Sequence, residues 1–233
     1  MITFGIITDG NEIDRVHTVI NSILGQLKSG DEIIVACDKD VIYYPAKNVR
    51  STRFHGKKSW ITRKKNLIAE DAKNDTIVLM HDYIKLLPGW RREWDSFGYK
   101  FDCAMNVILN QNGERYRDWA AWDNPKFGHE WTCEDVWCPG GMKFSGRPHI
   151  VPYNHNETQY MYISGAYFLV NRRFLLDNPL NENLCWGQGE DVEWCLRIRD
   201  KWNYVMNPNA QVQLLKQKDK VLPVIENANT SNR

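Results

Sequence analysis

The first 37 residues hold two continuous apolar segments separated by an amphipathic one, and this order restricts the fold more than any other feature. Residues 2–8 and 32–37 are apolar and rich in β-branched side chains, and an aspartate follows each. Between them, apolar residues recur every three or four positions, as on the buried face of a helix: Val16, Val19, Ile20, Ile23, Leu24 and Leu27. Two buried strands joined by a helix form a right-handed βαβ unit, so the sequence predicts an α/β fold with a parallel sheet.

The α/β pattern continues towards the C-terminus. It predicts four more strands and two more helices, at residues 76–80, 102–109, 160–170 and 204–215 and at residues 61–72 and 189–201. Between residues 111 and 153 the periodicity is poor and Gly, Pro and Trp are frequent, which indicates a loop-rich insertion. We expect a single domain over residues 1–225 and a polar, disordered tail at 226–233.

The composition argues against several classes of function. The 233 residues carry a net charge of +1, so no overall field favours nucleic acid or an anionic membrane as a partner. No apolar run approaches the length of a transmembrane segment, and the first residues lack the layout of a signal peptide. The six cysteines are scattered without the paired spacing of a zinc site, which predicts buried thiols. We therefore expect a cytoplasmic protein, in the host cytoplasm if it is viral.

Polar side chains directly follow three of the predicted strands. Asp9 and Asp38 come after the first two, and His81, Asp82 and Tyr83 come after the strand at 76–80. Ligands of open α/β sheets bind at the carboxyl ends of the strands, so we expect these residues to share one crevice. For Asp38 alone, a turn residue is an equal interpretation, and a single His or Asp at a strand end is more often structural.

A basic cluster surrounds the start of the helix predicted at 61–72, and it consists of Lys57, Lys58, Arg63, Lys64 and Lys65. Cations near a helix N-terminus oppose the helix dipole, which makes the arrangement unfavourable unless an anion binds there. A diphosphate would suit it. A solvated basic face is the alternative interpretation.

Two adjacent acids, Glu190 and Asp191, open the helix predicted at 189–201 after a Gly-x-Gly turn that includes Gly187. Trp186 and Trp194 flank them. Acids in a first helical turn complement the dipole, which is the ordinary explanation for an arbitrary helix. The same dipole keeps a carboxylate ionised, which suits a general base.

A second mixture of charged and aromatic residues, from Arg115 to Trp119, lies in the predicted insertion. Such a mixture can clamp a sugar by hydrogen bonds and stacking. It can equally form a salt-bridged anchor for the loop, and the sequence favours neither interpretation.

Taken in chain order, these motifs resemble nucleotide-sugar glycosyltransferases of the GT-A fold, closest to the family-2-like group with bacterial and phage-type sequences. The resemblance extends to about Lys216, and its remaining motif is a Gly-Ala strand at Gly165 and Ala166 that leads to Arg172. It implies a Rossmann-like, mostly parallel sheet flanked by helices, with a loop-rich insertion on the acceptor side. Residues 1–110 would form the nucleotide-binding half and residues 111–225 the acceptor-binding half.

The resemblance also implies site residues. A nucleotide-diphosphate sugar would bind to Thr8, Asp9, Asp38, Arg63, Lys64, Asn66, His81, Asp82 and Lys216. The sugar or a hydroxyl acceptor, such as a glycan, would contact Arg117, Asp118, Trp119, Gly165, Ala166, Trp186, Gly187 and Trp194. Asp191 would act as the general base of an inverting transfer, with Glu190 orienting sugar or acceptor hydroxyls.

Two positions depart from the family pattern. Tyr83 stands where the family has its metal-binding Asp, and the C-terminal His of the metal site is absent near residues 213–216, where Lys216 is the nearest polar candidate. Either Asp82 binds Mn²⁺ or Mg²⁺, or cations such as Lys216 and Lys218 neutralise the diphosphate instead. The same departures support a rival, a non-catalytic carbohydrate- or nucleotide-binding protein. A nucleotidyltransferase is a weaker rival, because no Gly-rich phosphate loop follows the first strand.

Overall fold

A computed structural model describes residues 1–39, 44–57, 59–127 and 148–218, together with residues 222, 224 and 225. Its strands are β1 (Ile2–Thr8), β2 (Glu32–Cys37), β3 (Val49–Arg53), β4 (Thr76–His81), β5 (Ile84–Leu86), β6 (Cys103–Leu109), β7 (Ala120–Trp122), β8 (Pro148–Ile150), β9 (Met161–Tyr162), β10 (Tyr167–Asn171) and β11 (Tyr204–Leu214). Its α-helices are α1 (Ile13–Leu24), α2 (Ile61–Asp71), α3 (Trp90–Phe97), α4 (Arg172–Asp177) and α5 (Glu190–Ile198). Within these described segments, no helix is long and apolar enough to cross a membrane.

The central sheet has eight strands in the order β3-β2-β1-β4-β10-β6-β11-β5. The β2–β3, β1–β2, β1–β4 and β6–β11 pairs are parallel, while β10 runs antiparallel between β4 and β6 and β5 runs antiparallel at the edge. Four of the seven neighbouring pairs are therefore parallel, which confirms the predicted α/β fold with a mostly parallel sheet. A small antiparallel sheet has the order β8-β7-β9, and its strands β7 and β8 lie in the region predicted to be loop-rich.

Burial follows the periodicity of the sequence. Every residue of β1 and β2 is buried, as expected for parallel strands that are covered on both faces. The apolar stripe of α1 is buried at Val16, Val19, Ile20 and Ile23, because these positions return to one helix face. This packing fixes the carboxyl ends of β1 and β2, where the candidate site begins.

The prediction of one strand over residues 160–170 is wrong. Met161 and Tyr162 belong to the small sheet, and the strand of the central sheet begins only at Tyr167. A turn separates the two, in which the Tyr167 amide donates to the Ser164 carbonyl at 3.1 Å. The apolar pattern hides this turn because Ile163 and Ser164 are buried in the turn as well.

The short elements escaped prediction, and some predictions fall on residues that the structure leaves out. Strands β3, β5, β7 and β8 and helices α3 and α4 were not predicted, since each has eight residues or fewer and several are amphipathic or mixed in pattern. Residues 128–147 of the predicted insertion and the tail at 226–233 lie outside the described residues. Of the thiols, Cys37, Cys103 and Cys195 are buried, as predicted, Cys185 is half-buried, and Cys133 and Cys138 lie outside the described residues.

Gly5 provides a test of the packing between β1 and α2. A Cβ atom at Gly5 would stand 2.5 Å from Cγ2 of Ile68 and 3.1 Å from Cδ2 of Leu79. We expect Gly5→Ala to lower the free energy of unfolding by about 1–3 kcal/mol, because overpacking forces buried neighbours to move. Urea denaturation of the purified variant measures this change.

Gly25→Ala is the matched control. Gly25 has an ordinary helical φ of −64°. A Cβ atom there would stand 3.9 Å from the Asn21 carbonyl oxygen, which is an ordinary van der Waals contact. Alanine there should be neutral or stabilise by up to about 1 kcal/mol. Equal free energies of unfolding for the two variants would contradict the close contact at Gly5.

Candidate active site

The carboxyl ends of β1, β2 and β4 open onto a pocket of about 280 Å³. Eight residues predicted from the sequence line it, namely Thr8, Asp9, Asp38, Lys64, His81, Asp82, Trp186 and Lys216. Six others complete the wall, namely Ile7, Arg15, Ser59, Ile61, Tyr83 and Lys218. The expected crevice at the strand ends is therefore present and strongly charged.

A larger cavity of about 370 Å³ lies at the opposite, amino ends of the strands, beside Asp31 and Glu32. Its carboxylates are already engaged by the protein: Asp31 accepts from the Ile2 and Lys28 amides, and Glu32 accepts from the Lys73 amide and the Thr3 hydroxyl. Size alone therefore does not identify the site, and the smaller pocket is the one at the carboxyl ends of the strands, where ligands of open α/β sheets bind.

Lys64 forms the floor of the pocket. Its side chain is 2% exposed, and its Nζ lies 2.8 Å from Oδ1 of Asp38. The same Nζ donates to the carbonyl oxygen of Thr8 at 2.8 Å. The lysine thus ties the end of β1 to the residue that follows β2, and it brings a positive charge between them.

Arg63 and Asn66 are not brought into the pocket. The Arg63 guanidinium donates to Glu70 at 2.5 Å and to Glu182 at 3.2 Å. The Asn66 amide bonds to the backbone of Leu180 in both directions. Consecutive side chains of a helix point about 100° apart, so α2 aims Lys64 at the pocket and turns Arg63 away.

Asp82 is fully engaged inside the pocket. Its carboxylate accepts a hydrogen bond from the Thr8 hydroxyl at 2.7 Å and lies 3.4 Å from Nη2 of Arg15. His81 stands beside it on the last residue of β4. Burial, followed by the charges of nearby lysines including Lys65, lowers the pKa of His81 well below its usual value. The imidazole is therefore neutral at pH 7.

The donor set does not fit a divalent cation. Mn²⁺ and Mg²⁺ prefer several carboxylate or carbonyl oxygens, and their charge needs anionic ligands. Among the residues that the structure describes, no three His, Cys, Asp or Glu side chains come together in a metal-binding group. The Tyr83 phenol stays protonated because burial raises its pKa above the usual value. Lys216 and Lys218 stand next to it.

Asp191 is oriented by two backbone amides. Its Oδ2 accepts from the Gly165 amide at 3.0 Å, and its Oδ1 accepts from the Val192 amide at 2.9 Å. Gly165 is required for this approach, because a Cβ atom there would stand 3.0 Å from Oδ2 of Asp191 and 2.8 Å from Oε1 of Glu190. Asp191 is half-buried and lies in the first turn of α5, where the helix dipole favours negative charge.

Glu190 and Lys65 form a buried pair beside Asp191. The Lys65 Nζ lies 3.8 Å from Oε1 of Glu190 and donates to the Gly165 carbonyl at 2.8 Å. Burial, with a further contribution from the Asp191 charge and against the opposing effect of Lys65, raises the pKa of Glu190 to about 7. Burial also lowers the pKa of Lys65. Both partners are thus shifted towards their neutral forms.

Backbone contacts connect Asp191 to the pocket. Gly165 bonds to Asp191, and the next residue, Ala166, accepts from the His81 amide at 2.9 Å. On the other side, the Trp186 amide donates to the Ser59 carbonyl at 3.0 Å, which holds the loop before α5 against the pocket rim. Gly187 continues that loop with a φ of 80°, in the left-handed region that favours glycine.

The residues predicted to contact the sugar or acceptor divide into two groups. Trp186 is 59% exposed and lines the pocket. In contrast, Trp194 is fully buried, with its indole nitrogen donating to the Asn178 carbonyl. Trp194 therefore packs in the core, because it lies on the apolar face of α5 rather than on the face next to the pocket.

The stretch from Arg115 to Trp119 forms a loop anchor. Asp118 is fully buried and bonded to Arg115 and to the Tyr153 hydroxyl, each at 2.7 Å. Trp119 is 2% exposed and packs on Tyr204. Arg117 is half-buried, with its guanidinium 5.5 Å from the Tyr116 ring. The structure therefore does not bring Asp118 and Trp119 to the pocket, and the anchor interpretation describes them.

The predicted site residues omit Arg15 and Lys65, both of which contact its carboxylates. The position of Lys65 was a detectable signal, since it lies four residues after Ile61 and three before Ile68, on the buried face of α2. Arg15 carried no comparable signal, because its approach to Asp82 depends on how α1 packs on the sheet.

Comparisons with known proteins reveal likeness at the level of structure. No family model and no curated protein matches the sequence. GalNAc-T7, crystallised with UDP, GalNAc and Mn²⁺, matches with a TM-score of 0.62 at 10% identity, over 97% of this chain and 44% of that one. TarS 1–349 of S. aureus in complex with UDP-GlcNAc matches with a TM-score of 0.55 at 13% identity, over 97% and 58% of the two chains.

This chain thus spans about half the length of the solved structures that it matches. Both are GT-A glycosyltransferases, and at these identities the likeness concerns the fold. The similarity extends over nearly the whole chain and agrees with the mixed α/β sheet described above. The chain therefore has the GT-A fold of nucleotide-sugar glycosyltransferases.

Proposed function

We propose that the protein is a family-2-like glycosyltransferase that moves a sugar from a nucleotide-diphosphate sugar to a hydroxyl of an acceptor such as a glycan. One observation carries the proposal: Asp191, a carboxylate held by two backbone amides, is connected through Gly165 and Ala166 to His81 in the wall of a charged pocket at the strand ends. The structural relatives crystallised with UDP and with UDP-GlcNAc support it. Residues 1–110 supply most of the donor pocket in this proposal, and residues 111–225 supply the base and the acceptor side.

The donor binds with its nucleoside against the ends of β1 and β2. Asp9 and Asp38 offer carboxylate acceptors for base or ribose groups, and Lys64 holds Asp38 in place. The exposed ring of Trp186 lies on the rim, where it can stack on the nucleoside or the sugar and exclude water. The diphosphate then lies deeper in the pocket, near the cations.

Transfer is a direct displacement with inversion at the anomeric carbon. The acceptor oxygen forms a bond to that carbon while the bond from the carbon to the diphosphate oxygen breaks, and the electron pair leaves with the diphosphate. Asp191 takes the acceptor proton. The amides of Gly165 and Val192 fix its carboxylate for this step, which contributes through orientation as well as through proton transfer.

Glu190 orients hydroxyl groups next to Asp191. Because its pKa lies at about 7, it is present in both the acid and the carboxylate form near neutral pH. In the acid form it donates a hydrogen bond, and in the carboxylate form it accepts one. Lys65 holds the side chain at the position from which either contact is made.

A second function, a non-catalytic nucleotide- or carbohydrate-binding protein, is favoured by one observation. The described residues around Tyr83 provide no metal-ligand group, and loss of such a group is one route to loss of activity. The two functions differ in turnover and agree in ligand binding, so both must be measured.

Nucleotide binding is the first expected result. UDP, GDP, CDP or dTDP should raise the melting temperature of the protein, because a ligand that binds only the folded state stabilises it. Differential scanning fluorimetry with each nucleotide, in EDTA and in Mn²⁺, measures the shift. If no nucleotide shifts the melting temperature in either condition, the transferase proposal fails.

Asp191→Asn should retain nucleotide binding and lose turnover by a factor of roughly 10² to 10⁴, because positioned proton transfer contributes about that much. Release of the nucleoside diphosphate from sugar nucleotides measures the rate. Glu193→Gln is the matched control: Glu193 lies two residues further along α5 and pairs with Arg197 at 2.9 Å, away from Gly165. Wild-type turnover in Asp191→Asn would show that Asp191 is not the base.

The Glu190 pKa predicts a dependence of stability on pH. Its folded-state pKa of about 7 exceeds the ordinary 4.5. The fold therefore favours the protonated form, and its contribution to stability is present below about pH 4.5 and is lost as pH rises through about 7. Relative to Glu190→Gln, the wild type should become less stable between about pH 5 and 8.

Loss of Glu190 also removes a partner that supports the charge on Lys65. The variant therefore gains stability as pH rises, since its lysine binds fewer protons when folded, and the two effects have the same sign. Urea denaturation of both proteins across this pH range measures the difference. Parallel curves for the two proteins would contradict the raised pKa.

A further inference from the structure

Resting on the proposed function, we propose that Arg15, Lys216 and Lys218 bind the donor diphosphate and that this binding needs no divalent cation. These three residues, called the cation cluster below, line the same pocket as Asp38 and Lys64. In this arrangement, protein cations around Tyr83 supply the positive charge that a metal ion would otherwise bring to the diphosphate.

Among the described residues, neither lysine of the cluster has a carboxylate partner. The Lys216 Nζ lies 4.1 Å and the Lys218 Nζ 4.9 Å from the centre of the Tyr83 ring. Neither forms an ion pair within 4.0 Å in the part of the chain that the structure describes. Burial first, and the charge of Lys216 second, lower the pKa of Lys218. Two like charges held together without an acid favour an anion that bridges them.

Arg15 completes the cluster from the other side. Its Nη2 neutralises Asp82 at 3.4 Å, and its Nε is buried without a hydrogen-bond partner. An arginine presents several donors in one plane, so the guanidinium can contact Asp82 and a phosphate oxygen at once. Asp82, the acid that directly follows β4, is thus already bound to Arg15 and to the Thr8 hydroxyl.

Tyr83 makes the arrangement unsuitable for a metal and suitable for the lysines. Its ring offers a negative face to the two ammonium groups, an interaction that strengthens when it is desolvated. The ring is 7% exposed, and its protonated phenol adds no charge. A divalent cation next to Tyr83 would be repelled by Lys216 and Lys218, and the adjacent carboxylate, Asp82, is already paired with Arg15.

During transfer, the cation cluster stabilises the charge that develops on the diphosphate. The electron pair of the broken bond stays on the leaving oxygen, and the ammonium and guanidinium groups donate hydrogen bonds to phosphate oxygens without giving up a proton. The acceptor proton still goes to Asp191. The transfer needs no further reactant, because the acceptor oxygen supplies the electron pair of the new bond and the diphosphate keeps that of the broken bond.

The test uses calorimetric titration of the full chain with UDP, GDP, CDP and dTDP and with the matching monophosphates, in EDTA and in Mn²⁺. For the nucleotide that binds, we expect the diphosphate affinity in EDTA to be within about threefold of that in Mn²⁺. Lys216→Met and Lys218→Met should each weaken diphosphate binding roughly tenfold, and the double variant roughly a hundredfold. Monophosphate binding should change by less than about threefold.

Lys201→Met is the control, because Lys201 is exposed after α5 and outside the pocket. Melting temperatures verify that each variant is folded, and the comparison of EDTA with Mn²⁺ in the wild type needs no variant. Diphosphate binding that requires Mn²⁺, or that survives in the folded double variant, overturns this inference and leaves the proposed transferase intact. Absence of binding by every nucleotide in both conditions overturns the proposed function itself.

Discussion

Two consecutive buried lysines of α2 hold the candidate site together. Lys64 and Lys65 are almost fully buried, and burial of an ammonium group is costly unless it is paired and hydrogen-bonded. Each has one carbonyl and one carboxylate: Thr8 and Asp38 for Lys64, Gly165 and Glu190 for Lys65. Because neighbouring helical side chains diverge by about 100°, one helix reaches both halves of the site.

This arrangement separates the charges of the site into two regions. On the proposed donor side, Arg15, Lys216 and Lys218 stand near the ends of β1, β4 and β11 and offer positive charge. On the proposed acceptor side, Glu190 and Asp191 begin α5 and offer negative charge. A displacement that releases a diphosphate and collects a proton requires this polarity, since negative charge builds at one end and a proton is released at the other.

The sequence was sufficient for features that depend on local periodicity and on strand ends. The βαβ unit predicted the parallel strands, and its topology placed Asp9, Asp38 and Asp82 at one edge of the sheet. The sequence was insufficient where contacts between distant parts of the chain determine which way a side chain points. Whether Trp194 faces the core or the pocket depends on the packing of α5 against β10, and the approach of Arg15 to Asp82 depends on how α1 packs on the sheet. No local pattern contains that information.

The two departures from the pattern of the resembling family, Tyr83 and Lys216, are better understood as one change. Replacing a metal-binding acid by Tyr83 alone would remove negative charge and leave the pocket without a metal or a substitute. Placing Lys216 alone where a histidine is expected would add a positive charge with no aromatic ring to stabilise it. Together, the Tyr83 ring supports the lysine, and the lysine supplies the positive charge that a metal would bring. The proposed diphosphate site accounts for both departures together, because a bound diphosphate would be the anionic partner of the two lysines beside the Tyr83 ring.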